Sequence, residues 1–158
     1  MQPKPPSLYD PATKSLSLII PAYNEEERLG STLDEVLSYL MTRRNRIGPH
    51  FTYEVIIMDD GSRDGTVRVA SGYVKKHGFD AVRVLKAISN RGKGHSVKRA
   101  MMIARGERML LLDADGATRL SDLEKLEEEL SKIETIPSSS SSASELYKGK
   151  TGMSEPYS

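Results

Sequence analysis

The stretch Tyr53-Glu54-Val55-Ile56-Ile57-Met58-Asp59-Asp60-Gly61-Ser62-Arg63-Asp64-Gly65-Thr66 decides the fold. Tyr53–Met58 is rich in β-formers and reads as a strand. Asp59 to Gly65 then concentrates the residue types that dominate turns. Thr66, Val67, Ala70, Tyr73 and Val74 recur at helical spacing. Asp64 is placed to cap that helix, with its charge at the favourable end. A strand passing through a polar, glycine-containing loop into a helix is half of a β-α-β unit.

The same unit repeats on either side. Ser15–Ile20 ends in Leu18-Ile19-Ile20 and reads as a buried strand, followed by Leu29, Leu33, Val36, Leu37 and Leu40 at helical spacing. Downstream, Val82–Leu85 is a third strand, and Val97, Ala100, Met101 and Ala104 line a third helix. Met109–Leu112 is a wholly apolar fourth strand. Leu120, Leu123, Leu126 and Leu130 give a fourth helix, capped by Ser121. The order β-α-β-α-β-α-β-α implies right-handed crossovers and an α/β fold, a parallel sheet with helices on both faces. In such sheets ligands bind beyond the carboxyl ends of the strands, near a topological switch point.

Composition bounds what those strand ends can do. The chain has 158 residues, 28% charged and 37% apolar, a soluble globular balance in one domain's length. With 23 Lys+Arg against 22 Asp+Glu the net charge is +1, so there is no bulk electrostatic case for nucleic acid. The absence of cysteine excludes disulfides, cysteine zinc sites and thiol nucleophiles. No apolar run approaches the roughly 18–20 residues that span a bilayer. The amino terminus has no apolar signal core, and the first expectation is a soluble chain that is not secreted. Residues 1–14, with Pro3, Pro5, Pro6 and Pro11, read as a disordered arm. Residues 15–135 carry the alternating pattern. Residues 136–158, with the unbroken serine run Ser138 to Ser142, read as a disordered tail.

Each strand delivers polar or glycine-rich residues to one rim: Pro21-Ala22-Tyr23-Asn24-Glu25, then Asp59-Asp60-Gly61-Ser62, then Asn90-Arg91-Gly92-Lys93-Gly94, then Asp113-Ala114-Asp115. Two carboxylates at i and i+2 past a strand end can turn toward one point, where their repulsion is costly unless a hard cation resolves it. Mg²⁺ takes one or two carboxylates and completes its shell with water and phosphate oxygens. An isolated D-x-D is equally a solvated loop. Asp59-Asp60 reads either as a plain turn or as a carboxylate for a base or ribose, with Asp60 or Asp59 in that role. Tyr23 suits stacking on a base or packing under the first helix. Gly92 and Gly94 let backbone N–H groups approach an anion at a helix start, and Lys93 could then reach a diphosphate. The alternative is a solvated basic face, which suits most of Lys98, Arg99, Arg105 and Arg108. Neither a G-x-G-x-x-G fingerprint nor a G-x-x-x-x-G-K-[ST] loop is present.

Together these four segments resemble the inverting family 2 glycosyltransferases of the GT-A fold. Asn90-Arg91-Gly92-Lys93-Gly94 and Asp113-Ala114-Asp115-Gly116-Ala117-Thr118 resemble more narrowly the dolichyl-phosphate β-glucosyltransferases. The resemblance implies a Rossmann-like nucleotide-diphospho-sugar fold, a UDP-glucose donor and Mg²⁺ or Mn²⁺. It implies a nucleotide pocket lined by Pro21, Ala22, Tyr23 and Glu25, with Asp59 and Asp60 at the base and ribose. Lys93 then faces the diphosphate, Asp113 sits by the ribose, sugar or metal, and Asp115 binds the metal. It implies, too, that glucose passes to dolichyl phosphate in the N-glycosylation pathway, on the cytosolic face of the endoplasmic reticulum membrane. No catalytic base is assigned. The pattern lacks the family's N-terminal membrane anchor and ends near Thr135. The expectation is therefore the donor-binding first half of a larger domain, with its acceptor site missing and an apolar sheet edge that makes it marginally stable or self-associating. The alternatives are a donor-binding fragment without catalysis, a relative using another nucleotide sugar, and a receiver-like phosphoryl-transfer domain. The last is disfavoured because its acidic pair follows the first strand, whereas the pair here follows the second.

Overall fold

In the computed structural model, β2 (Tyr53–Asp59) is buried along its whole length. That burial explains its near-continuous apolar run, since both faces of a parallel sheet are covered. The structure describes residues 7, 9–114 and 120–134. The expected disorder of segment 136–158 and much of that of the arm 1–14 lie outside the described residues, as does Asp115.

β2 pairs in parallel with β1 (Lys14–Ala22) on one side and β3 (Val82–Lys86) on the other. β4 (Gly106–Leu111) pairs in parallel with the far side of β1, giving the sheet order β3-β2-β1-β4. The connections are α1 (Glu26–Ile47), α2 (Thr66–His77) and α3 (Lys93–Ile103). Right-handed crossovers place α1 and α2 on one face and α3 on the other, because the chain reverses direction across the sheet after β3. Ala100 and Ala104 accordingly seat on Ile19, Ile56 and Met58.

The strands run longer than their apolar cores suggest. β1 continues through Pro21 to Ala22. Its last partner on β4 is Ile19↔Leu111, and the Ile19 carbonyl accepts from Leu112 N–H. Pro21 lies two residues on, so its nitrogen faces the same side, beyond the end of β4. A missing N–H costs no ladder bond there, and the space between the ends of β1 and β4 stays open.

Three expectations are corrected. Met101 is 41% exposed and α3 stops at Ile103, so its buried line is Ser96 and Ala100 rather than a longer apolar stripe. Arg105 does not belong to a solvated basic face. Its Nε and backbone N–H bind the fully buried Glu54 carboxylate at 2.8 and 2.6 Å, and its Nη1 binds Asp80 at 3.1 Å. Leu120–Asp122 is a 3-10 turn and α4 starts at Leu123, which puts Ser121 inside that turn rather than at a cap. Taken by itself, α4 (Leu123–Glu134) leaves Leu126 and Leu130 exposed. Among the described residues no helix is long and apolar enough to cross a membrane.

Candidate nucleotide-sugar site

The strand order reverses between β1 and β4, and there a cleft of about 420 Å³ opens beyond the strand ends. Pro21, Ala22, Tyr23, Glu25, Arg28, Asp60, Asn90, Gly92, Lys93, Asp113 and Ala114 line it. Seven of the expected site residues therefore meet in one place: Pro21, Ala22, Tyr23, Glu25, Asp60, Lys93 and Asp113.

Asp59 does not line the cleft. It is fully buried, and its carboxylate accepts from Gly61 N–H at 3.2 Å and Ser62 N–H at 3.2 Å. Its chemistry is spent folding the loop, so of the two adjacent carboxylates it is Asp60 that reaches the cleft.

Asp60, 4% exposed, accepts from Gly92 N–H at 2.8 Å, Arg91 N–H at 3.1 Å and Ser96 Oγ at 2.9 Å. Burial pushes its carboxyl up. The hydrogen bonds from Arg91, Ser96 and Gly92 and the nearby His95 outweigh that and hold it below the ordinary carboxylate value. The amino end of α3 is thus an anion site, as its glycines suggest, but its anion is internal. The amides of residues 91 and 92 are committed to Asp60, so an external anion at this helix start would meet the amides from Lys93 onward. The Lys93 ammonium stands beside them on the cleft. It donates to an Asp113 carboxylate oxygen, and both side chains are about half exposed.

The β1–α1 turn supplies the opposite wall. Asn24 adopts a left-handed backbone, φ 54°, a conformation asparagine tolerates better than most residues. Glu25 follows at the N-cap position and makes no side-chain cap. Its carboxylate instead grips Arg28 through Nε at 2.8 Å and Nη2 at 3.0 Å. Arg28 was not anticipated; its signal was the Glu25–Arg28 spacing of three on a helix start. Gly92 lines the cleft as its place at the helix start suggests, and Asn90 and Ala114, members of their motifs with no expected site role, line it too. The segment after β4 is held from α1, where Thr32 Oγ1 donates to the Ala114 carbonyl at 2.8 Å.

A cleft with two ion-paired cations, Arg28 on Glu25 and Lys93 on Asp113, and carboxylates on two sides suits a ligand that is anionic in its middle and rich in hydroxyls at its ends. Asp113 offers hard oxygen donors of the kind Mg²⁺ and Mn²⁺ take, and the neighbouring Lys93 neutralises that carboxylate meanwhile.

Comparison with known proteins converges on one family. The model of Glycosyl transferase family 2 matches residues 17–145. A Homo sapiens protein named Dolichyl-phosphate beta-glucosyltransferase is 50% identical over 132 residues, 84% of this chain and 40% of that protein. Its Drosophila melanogaster namesake is 54% identical over 128 residues, 81% and 39% respectively. The chain therefore spans about 40% of the length of these relatives. Among solved structures, the mannosyltransferase PcManGT from Pyrobaculum calidifontis, in complex with GDP-Man and Mn²⁺, is 27% identical with a TM-score of 0.54, covering 70% of this chain and 29% of that one. S. aureus TarS 1–349, 23% identical at a TM-score of 0.56 over 75% of this chain and 32% of its own, shares the fold.

Proposed function

Because the chain belongs to glycosyl transferase family 2, we propose that the β1/β4 cleft is the nucleotide-sugar site of a glucosyl transfer from UDP-glucose to dolichyl phosphate. One observation carries the reading: segments from all four strand ends, each weak alone, converge on a single cleft at the switch point. Relatives half identical in sequence carry the dolichyl-phosphate glucosyltransferase name and support the choice of sugar and acceptor. The same reading puts the reaction on the cytosolic face of the endoplasmic reticulum membrane.

In this assignment Pro21, Ala22, Tyr23 and Glu25 form the wall against the nucleotide, and Asp60 faces the base and ribose from above the Asp59 turn. Lys93 leaves Asp113 for the diphosphate. Asp113 and Asp115 hold Mg²⁺ or Mn²⁺, and the Mn²⁺ bound by the 27%-identical mannosyltransferase supports a divalent ion. The ion supplies charge neutralisation for the departing UDP. Arg28 and Lys93 add positive charge as that negative charge develops. An acceptor phosphate oxygen is already anionic at neutral pH. It can form its bond to the sugar's anomeric carbon, while the bond to UDP breaks and its electron pair leaves with UDP, without a protein nucleophile. Inversion at that carbon follows from attack opposite the leaving group.

The GDP-Man held by the same mannosyltransferase supports a second reading, a guanosine-linked donor in the same cleft. The test incubates the chain with UDP-[¹⁴C]glucose or GDP-[¹⁴C]mannose, MnCl₂ and dolichyl phosphate, and counts label in the lipid phase. Label from UDP-glucose alone is the expected result. Donor binding without lipid-linked label reduces the function to a donor-binding module. Label from GDP-mannose alone overturns the choice of donor.

A further inference from the structure

The amino end of α1 is capped from elsewhere in the chain. A helix leaves its first amides without partners, and the side chain at the N-cap ordinarily accepts one of them. Glu25 does not. Instead Glu25 N–H donates to Thr66 Oγ1 at 2.8 Å and Glu26 N–H to Asp64 Oδ2 at 3.2 Å, both from the loop that enters α2. Thr66 is fully buried, and its hydroxyl donates onward to Asp64 Oδ1 at 2.5 Å. The exchange is reciprocal. Gly65 N–H donates to Glu26 Oε2 at 2.8 Å, Arg63 N–H to Asn24 Oδ1 at 3.0 Å, and Asn24 N–H to Ser62 Oγ at 2.9 Å.

None of Asn24, Glu26, Asp64 or Thr66 lines the cleft, yet both residues of the Glu25–Arg28 pair do. Thr66 and Asp64 fix the Glu25 and Glu26 amides, and so the backbone from which the Glu25 carboxylate holds the Arg28 guanidinium in a two-pronged pair on the cleft wall. A guanidinium fixed in this way presents a preset fork of donors to an anionic ligand. We propose that Thr66 and Asp64 are positioning residues for the donor, setting Glu25 and Arg28 against it through the amides of α1, so that donor affinity depends on a hydroxyl that never touches the donor. The proposal rests on the cleft being the nucleotide-sugar site.

Thr66→Val removes the hydroxyl at nearly constant shape, and Thr66→Ser restores it. Two readouts are taken on the whole chain: hydrogen exchange at the amides of Glu25 and Glu26, and calorimetric titration of UDP-glucose in MnCl₂. Thr66→Val is expected to speed exchange at both amides and weaken UDP-glucose about tenfold, the equivalent of about 1.4 kcal/mol, while Thr66→Ser stays within about twofold of the parent, a change of about 0.4 kcal/mol. Faster exchange with unchanged affinity overturns the positioning role. Equal losses in Val and Ser variants overturn it too, because the hydroxyl is then not the cause. A parent chain that fails to bind UDP-glucose while Thr66→Val still speeds exchange refutes the nucleotide-sugar reading; the cap survives, but its donor role falls. Should Thr66→Val not fold, Asp64→Asn keeps the shape but cannot accept both from Glu26 N–H at one oxygen and from the Thr66 hydroxyl and amide at the other. Weaker UDP-glucose binding supports the clasp, and parental binding overturns it.

Discussion

Glu54 is the side chain whose loss the fold should feel most. It is fully buried on the α3 face of β2 and accepts four hydrogen bonds. Ser17 Oγ at 2.7 Å and Arg105 N–H at 2.6 Å meet Oε1; Arg105 Nε at 2.8 Å and Arg83 Nη1 at 3.0 Å meet Oε2. One carboxylate thereby ties β1, β2, β3 and the turn between α3 and β4 at the end of the sheet opposite the cleft. Glu54→Gln keeps the shape but turns one acceptor into a donor. With the amide oxygen at the Oε1 position, two charge-assisted bonds at Oε2 are lost and donors face donors. Charged hydrogen bonds contribute about 1.5–3 kcal/mol each. The guanidinium side chains keep 17% and 22% exposure, so water recovers part of the loss. The low end applies, about 3 kcal/mol in total. For a chain of this length that lowers Tm by about 10 °C.

The assay is thermal unfolding of parent and variant across pH. Burial alone raises the Glu54 pKa, but hydrogen bonds from Arg105, Ser17 and Arg83 outweigh it and bring the carboxyl below its ordinary 4.5. A carboxyl depressed in the folded state contributes fully above its unfolded pKa and loses that contribution as pH falls through the folded value. The gap between parent and Glu54→Gln should therefore be constant near neutrality and shrink below about pH 4. A variant that melts with the parent, or a gap that widens in acid, rules out this role for the Glu54 carboxylate.

Three further outcomes follow from the rim. Gly61 has φ +80°, and a Cβ there would lie 2.9 Å from Asn90 N and 3.0 Å from the Ser89 carbonyl carbon. Gly61→Ala should cost about 1–3 kcal/mol by denaturant titration, whereas Gly72→Ala, in open helix, should gain up to about 1 kcal/mol. Thr32→Val removes the buried bond to the Ala114 carbonyl and should cost about 1 kcal/mol; it should also weaken Mn²⁺-dependent UDP-glucose binding, measured by titration. Asp60→Asn cannot accept all three of its hydrogen bonds, so the loop carrying Lys93 loosens. Hydrogen exchange at Arg91 and Gly92 should speed up and donor affinity should fall at least about tenfold.

Much of this was legible in the sequence because the signals were local. The alternation of Leu18-Ile19-Ile20 and Val55-Ile56-Ile57-Met58 with helical stripes carries the β-α order, and the switch-point rule then places the cleft. Illegible were the features made by residues far apart in the chain. Glu54 reads as one polar residue in a strand until Arg83 and Arg105 arrive from β3 and the β4 turn. Asp59 and Asp60 are identical by type and adjacent, and only the loop's path sends one inward to its own turn and the other to α3. Asp64 reads as the cap of its own helix, but the N-cap is Gly65, which makes no side-chain cap; Asp64 stands one residue before it, where its carboxylate accepts from Thr66 N–H at 3.0 Å. Its second oxygen, serving Glu26 of another helix, has no local signature. Arg105 looked solvated for the same reason, since its partners lie on other strands and loops.

On our proposal the β1/β4 cleft binds a nucleotide sugar with the help of a divalent ion. That binding is tested most directly by titrating UDP-glucose into the chain with MnCl₂, with excess EDTA, and with Asp113→Ala in MnCl₂. Asp113 is half exposed, so its truncation spares the fold. Saturable binding in MnCl₂ that is lost both with EDTA and in Asp113→Ala is the predicted result. No binding, or binding indifferent to EDTA and to Asp113, contradicts it.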